Sequence, residues 1–326
     1  MKKITQKIIF ISILLSIIFF ISATTDYIIV TVNDQPITYL NFLSTYKMYV
    51  SQAKAQGQTL KNPVKETLDY MIEDILIAQD ALAHGVKVTD DEINMQIEYI
   101  LKTYNLTLDQ LSEELKKQGM DLNQFIENQK KQILMYRYMQ QVIEPNVKKP
   151  TKNDIENFYK ENKEKFKGSY EYSVKLVKLI VPKNAGFKER LTLKRKIDQY
   201  LKMIKDNNLS ITEENVKKFS SENQVSLVFE QKKYYPELID EELADELSSL
   251  KVGKISDVIE YNNDFYIFIL ESKTPIDYIP FSEVQQKIYN YIFEQRKMEL
   301  LQTTIDKLKS EAVIVWYVDI NSIIVP

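Results

Sequence analysis

The sequence contains no cysteine and one histidine in 326 residues. No disulfide, thiol nucleophile, thiolate metal site or lipidated cysteine is therefore available. A multi-histidine metal centre is excluded, and a histidine-based dyad or triad has one candidate, His84. Glycine is nearly as scarce. The six glycines form neither GxGxxG nor GxxxxGK, so the loops that cradle nucleotide phosphates are missing. A net charge of -3 gives no general attraction for nucleic acid or for an anionic membrane. These absences remove most common enzyme classes, and no cofactor, metal or small-molecule substrate is expected.

What is present describes a folded, exported chain. With 44% hydrophobic and 27% charged residues the composition is that of a globular protein, and the length accommodates two domains. Lys2, Lys3 and Lys7 precede an apolar run from Ile8 to Ile21, and Ser22-Ala23-Thr24 supplies small residues for cleavage. Residues 1–23 read as a secretory signal. The alternative is an uncleaved anchor formed by residues 8–21, near the lower length limit for a span. Either way the remainder is expected outside the cytoplasm, in the periplasm or on the extracytoplasmic face, with no membrane contact except through that segment.

Tyr27 to Val32 is a β-branched run ending at the turn pair Asn33-Asp34. Thr38 then caps a helix through Phe42, Tyr46 and Tyr49. From Leu68 to Leu82 apolar residues recur every three or four positions, which makes one helical stripe of Leu68, Met71, Ile72, Ile75, Ala78 and Leu82. Gly85 stops that helix in the left-handed conformation, and Val86 folds back over its last turn. Thr89 with Glu92, Thr107 with Gln110 and Asp121 with Gln124 repeat one start signal, the capping box, and most carry a hydrophobic staple. Residues 24–165 are accordingly expected to be a helical module.

The periodicity changes after Lys167. Tyr172, Val174 and Leu176 alternate with Val177, Leu179 and Val181, as in a central strand that is apolar on both faces. Helices over Phe187–Ile204 and Thr212–Phe219, a strand at Val225–Phe229, a helix over Asp240–Leu250 and a hairpin across Asn262-Asn263-Asp264 are expected in that order. Residues 166–275 thus read as an α+β unit. Ser282 caps a long helix with Val284, Ile288, Leu301 and Ile305 on its stripe. Ala312 to Val318 is a strand without a neighbour in sequence. Orphan strands at the two ends are expected to pair, so that residues 276–326 return to the helical module and the α+β unit becomes an insertion.

Val32-Asn33-Asp34 with Ile37-Thr38, Leu68 to Ala81, Gly85 to Ile93, Gly119-Met120-Asp121 and Asp154 to Tyr159 occur in an order that resembles the SurA/PrsA-type periplasmic folding factors with parvulin-like domains. Without cysteine the chain stands apart from the lipoprotein PrsA branch. The resemblance implies an α+β fold in which a helical chaperone module, completed by the C-terminal helix and strand, carries an inserted parvulin-like domain. Val174–Val181, Val216–Asn223 and Leu250–Ser256 resemble that domain's first strand, second helix and late turn. Lys178 and Tyr266 stand where isomerising members carry histidines, and Leu243 stands near the place of the proline-pocket aromatic. The site is a degenerate one, with no catalytic residue at those positions.

The implied function is an ATP-independent holdase that binds unfolded envelope or secreted polypeptides in an apolar cradle between the helical module and the parvulin-like domain. A parvulin-type peptidyl-prolyl isomerase with residual activity is the alternative, and a scaffold subunit of an envelope assembly is a third reading. Methionine adapts its shape at promiscuous surfaces. Tyr46, Tyr49, Met71, Met95, Tyr99, Met135, Tyr136 and Met139 are therefore the candidate client-binding residues. His84 suits a helix C-terminus better than a general base, because no patterned serine or acid accompanies it. Asp90, Asp91 and Glu92 suit a helix N-terminus, since the calcium-loop pattern is missing. Lys178, with Lys175 and Lys183 nearby, reads as part of an exposed basic strand edge.

Overall fold

In the computed structural model residues 26–117, 120–207 and 209–325 are described; the expected export signal and Gly119 lie outside them. The first strand, β1 (Ile28–Val32), turns through Asn33-Asp34 into β2 (Gln35–Thr38). Asn33 takes a left-handed φ of 53°, a conformation asparagine tolerates better than most residues. The Thr38 hydroxyl accepts from the Asn41 amide and opens α1 (Tyr39–Ala55). Pro63 starts α2 (Pro63–Ala83), capped by the Asn62 side chain.

The end of α2 shows how the sequence stops a helix. The Gly85 amide donates to Leu82 O at 3.0 Å and the Val86 amide to Ala81 O at 2.8 Å, with Gly85 at φ 76°. This is the double-bonded Schellman arrangement, and Val86 is buried against Ala81 in the same cluster. Then follow α3 (Asp90–Tyr104), α4 (Leu108–Lys117) and α5 (Leu122–Tyr138). Each of their three capping boxes is reciprocated, with Glu92, Gln110 and Gln124 reaching back to the amides of Thr89, Thr107 and Asp121. Past Tyr138 the chain widens into a π turn (Met139–Ile143) and a short 3-10 turn (Glu144–Asn146) before straightening.

Next come α6 (Lys152–Glu161), β3 (Tyr170–Leu179), α7 (Phe187–Asp206), α8 (Glu213–Asn223), β4 (Leu227–Tyr234), α9 (Glu241–Ser249), β5 (Ile259–Tyr261) and β6 (Asp264–Pro275). The chain closes with α10 (Phe281–Glu311) and β7 (Ile314–Trp316). The long helix starts at Phe281, so Ser282 lies within its first turn and does not cap it. β4 is longer than Val225–Phe229, because full pairing with β3 carries the polar residues Glu230 to Tyr234 into the ladder.

Two units result: the chain up to Lys148 with Phe293 onward, and Lys149–Ile292. In the first, β7 pairs antiparallel with β1, Val30 opposite Trp316 and Val32 opposite Ile314, giving the order β2-β1-β7. The expected union of the orphan strands is present. Ile29, Val30, Val32, Phe42, Leu68, Ile72 and Ile323 form its core. Ile77, Ala81 and Val86 pack with Tyr138, Leu301 and Ile305 in a second layer. The buried arc of α2 is therefore wider than the sequence stripe: it takes in Leu76, Ile77 and Ala81, while Leu82 is exposed.

In the second unit the sheet order is β4-β3-β6-β5, all antiparallel. Val177, Leu179 and Val181 pack beneath α7 and α8, while Tyr172, Val174 and Leu176 pack against Leu243 and Leu247 of α9. β3 is central and apolar on both faces, as its sequence demands. Ile155, Phe158 and Tyr159 of α6 pack with Phe166, Ile279, Val284 and Ile288. That cluster groups α6 and the first turns of α10 with this unit, so its limits, Lys149 and Ile292, lie outside the expected 166–275.

Candidate functional site

A cavity of about 130 Å³ opens on the α9 side of the second unit's sheet. Its floor is strand residues. Lys178 on β3 stands directly opposite Tyr266 on β6, and Leu176 stands opposite Phe268. Leu243 and Ile239 close it from α9 and the turn before it, and Tyr234 and Tyr261 wall it from β4 and β5. The three positions singled out from the sequence, Lys178, Leu243 and Tyr266, thus line one pocket. Periodicity explains why: residues two apart on β3 share a face, and registration with β6 brings Tyr266 beside Lys178.

Lys178 is not on an exposed edge. β3 is hydrogen-bonded on both sides, and the lysine stem is half-buried on the pocket face. Its Nζ donates to Asp264 Oδ2 at 2.9 Å and lies 5.5 Å from the Tyr266 ring centroid. Asp264 Oδ1 accepts from the Val181 amide at 2.8 Å. The Asp264 carboxylate holds the Lys178 ammonium above the usual lysine range, with the Tyr266 hydroxyl assisting and burial opposing. A lysine so held is a fixed cation and neither a base nor a nucleophile near neutral pH.

The rest of the wall is aromatic. Tyr266 and Phe268 stack at 5.7 Å, and Tyr261 meets Tyr266 edge-on at 6.0 Å. Tyr234 meets Phe268 edge-on at 6.2 Å, and burial pushes its hydroxyl up to about 12. The Tyr261 hydroxyl donates to Asp240, and Glu230 pairs with Lys232 at the rim. Such a pocket offers apolar and ring-face contact, with charges already partnered, so it can seat a small apolar side chain. Sequence reading missed Asp264, Tyr234 and Tyr261. The hairpin across Asn262-Asn263 pairs Asp264 with Tyr261, but the β3–β6 and β3–β4 registers that bring Asp264 and Tyr234 beside β3 have no local signal in the sequence.

The client-binding candidates are scattered. Tyr46 and Met71 pack against the core around β1, and Met135 and Met139 against the layer around Tyr138. Tyr49 is half-buried with its ring 5.6 Å from that of Tyr70. Met95 and Tyr99, four residues apart on α3, are exposed, and so is Tyr136 on α5. A smaller cavity, about 80 Å³, lies between α2 and α5, where Met135, Leu134, Ile75 and Ile77 meet the Asp74–Lys131 ion pair.

His84 caps α2, with Nδ1 2.9 Å from Asp80 O and 3.4 Å from Asp80 Oδ2. The other oxygen-rich contact of Asp80 is the buried Tyr138, whose hydroxyl donates to Oδ2 at 2.6 Å. Among the described residues no group of three His, Cys, Asp or Glu side chains could hold a metal ion, and no helix is long and apolar enough to cross a membrane.

Residues 25–139 match the SurA N-terminal domain and residues 150–286 match the PPIC-type PPIASE domain. Among curated relatives, Chaperone SurA of Legionella pneumophila subsp. pneumophila is 24% identical over 251 residues, 75% of this chain and 57% of its own. Chaperone SurA of Hahella chejuensis is 22% identical over 181 residues, 53% of this chain and 41% of its own. The chain thus spans roughly half the length of these relatives. Among solved structures, a SurA-like chaperone of Campylobacter jejuni is 20% identical with a TM-score of 0.46, covering 90% of this chain and 99% of that one. PrsA of Lactococcus lactis is 16% identical with a TM-score of 0.36, covering 89% and 95%.

The first match lies in the first unit and the second match in the second unit. The chain is similar to SurA-type chaperones over much of its length and carries one region matching each of the two domain models.

Proposed function

We propose that the protein is an exported, ATP-independent holdase that binds extended apolar segments of unfolded envelope or secreted polypeptides. The observation that carries this reading is the exposure of Met95, Tyr99 and Tyr136 on a unit of the SurA N-terminal type. Large apolar side chains left in water on rigid helices bind many sequences weakly, and methionine adapts to each. Export rests on residues 1–23 acting as a signal peptide. The relatives' name, Chaperone SurA, supports the same class.

The test is aggregation of a chemically unfolded client at equimolar protein, with and without ATP. Suppression that is equal in both and falls when Met95, Tyr99 and Tyr136 are changed to serine supports the reading. No suppression across several clients overturns it.

A second reading, residual peptidyl-prolyl isomerase activity, is favoured by the gathering of Lys178, Leu243 and Tyr266 around one pocket in the PPIC-type domain. Rotation of the X-Pro bond faces a barrier of about 18–20 kcal/mol, and an apolar site that desolvates the amide lowers it. A protease-coupled assay on a proline tetrapeptide decides. Turnover abolished by Leu243→Arg supports it, and turnover at the uncatalysed rate removes it.

A further inference from the structure

We propose that the outward face of α7 in the second unit is a docking face for an anionic phospholipid surface. The observation is a row of unpartnered cations. Ile197, Tyr200, Leu201 and Ile204 turn one side of this helix into the core. Lys188, Arg195 and Lys202 recur every seven residues on the opposite side, and all three are exposed. Seven residues are nearly two turns, so the three charges stand in line along a helix of about 30 Å.

The partnering on the helix is selective. Arg190 is held by Glu260 and by Asn263 Oδ1, Lys196 donates to Asn223 O, and Lys205 pairs with Asp257 at 3.1 Å. The side chains of Lys188, Arg195 and Lys202 have no hydrogen-bond or ion-pair partner among the described residues. The helix carries seven basic and three acidic residues in a chain whose net charge is -3, so the positive field is local. All three acids are exposed; Glu189 lies to one side, while Asp198 and Asp206, four residues before and after Lys202, temper the end of the row and leave Lys188 and Arg195 as its strongest part.

Two apolar side chains accompany the cations at the helix start: Phe187 is 82% exposed and Leu191 40%. Leu191 falls within the same outward quarter as Lys188 and Arg195, and Phe187 lies beside it. Aromatic and leucine side chains next to a lysine and arginine row are the pattern of a helix lying in a lipid headgroup layer. The three cations are spaced evenly along one helix face. That suits a flat, extended anionic partner better than a folded acidic protein, which would need a shaped counterpart. This inference is independent of client binding.

The experiment is co-sedimentation of the full chain with vesicles of phosphatidylglycerol and phosphatidylcholine, and with phosphatidylcholine alone. Lys2, Lys3 and Lys7 beside the apolar segment at residues 8–21 also favour anionic lipid but are common to parent and variants, so the charged face is read by the change in anionic binding between them. The expected result is preferential binding to the anionic vesicles that is lost in high salt. The triple variant K188Q/R195Q/K202Q should bind them about a hundredfold more weakly, at about a factor of five for each charge removed from an anionic surface. F187S/L191S, with all charges kept, should also bind more weakly, and circular dichroism of each variant should match the parent. Equal binding to both lipids, or an unchanged affinity of the triple variant, overturns the proposal. So does binding of wild-type chain to polyglutamate but not to vesicles, which would make the face a site for acidic polypeptide.

Discussion

Asn33 and Val313 are bonded twice across 280 residues of chain: the Asn33 amide donates to Val313 O at 2.7 Å, and the Val313 amide donates to Asn33 Oδ1 at 2.9 Å. The same asparagine donates through Nδ2 to Gln79 Oε1 at 2.6 Å. One turn residue in a left-handed conformation therefore ties the hairpin, α2 and the returning strand together. Asn33→Ala loses the side-chain bonds and gains backbone strain, at a cost of about 1–3 kcal/mol to the first unit. Asn33→Gly keeps the conformation and should cost less. Urea midpoints of the three proteins test the order, and an alanine variant as stable as the parent would refute it.

Acid should loosen the join between α3 and α5 through Glu92. Arg137 grips this carboxylate with Nη2–Oε1 at 2.6 Å and Nη1–Oε2 at 3.0 Å, and the Thr89 amide adds a third bond. The Arg137 guanidinium, then the Thr89 amide, hold Glu92 down to about 2 from its ordinary 4.5. A depressed carboxylate stabilises the fold above the unfolded value, and that contribution fades as pH falls from about 4.5 towards 2. In Glu92→Gln the contribution is absent at every pH, so its stability should change less across this window. Parallel acid titrations followed by circular dichroism would sink the account if the two slopes were the same.

Much of this architecture is legible in the sequence because local rules dominate it. The Thr89, Thr107 and Asp121 starts and the Gly85 stop are set by hydrogen bonds within a few residues, and all four appear as read. The union of β1 with β7 followed from unpaired edges, a global argument that needs only two strands. That Lys178, Leu243 and Tyr266 line one cavity agrees with their joint selection, but their environment was not legible. Lys178 looked exposed because Lys175 and Lys183 flank it in sequence, yet pairing on both sides of β3 makes it an inner-strand residue. Its partner Asp264 is 86 residues away, and only the β3–β6 register brings the two together. The client candidates were chosen by residue type, which does not say which face of a helix is covered. Met71 and Met135 are covered, while Met95 and Tyr99 are not.

Tyr138 is the polar anchor between α5 and α2. Its ring is fully buried and its hydroxyl donates to Asp80 Oδ2, which, after burial, is the main reason the hydroxyl is held well above the usual tyrosine range. Tyr138→Phe keeps the packing and removes a hydrogen bond to a charged acceptor, so the expected loss is about 1.5–3 kcal/mol. The urea midpoint should fall with an unchanged slope, which would mark a change in stability and not in compactness. A midpoint within error of the parent would show that Asp80 is satisfied by His84 and solvent alone.

Tyr200 is the opposite case. It is fully buried in the second unit between α7, α8 and the sheet, with its ring edge-on to Phe219 at 5.1 Å. Its hydroxyl has no partner among the described residues, and burial pushes it up to about 12. A buried hydroxyl without a partner keeps its desolvation cost, whereas phenylalanine of the same shape carries none. Tyr200→Phe should therefore raise the stability of the second unit by about 1 kcal/mol, as one of the few core changes here expected to stabilise. Thermal unfolding of this variant beside Phe219→Leu, which removes the ring contact and should destabilise, separates the hydroxyl from the packing. A loss of stability in Tyr200→Phe would mean that the hydroxyl is hydrogen-bonded in solution.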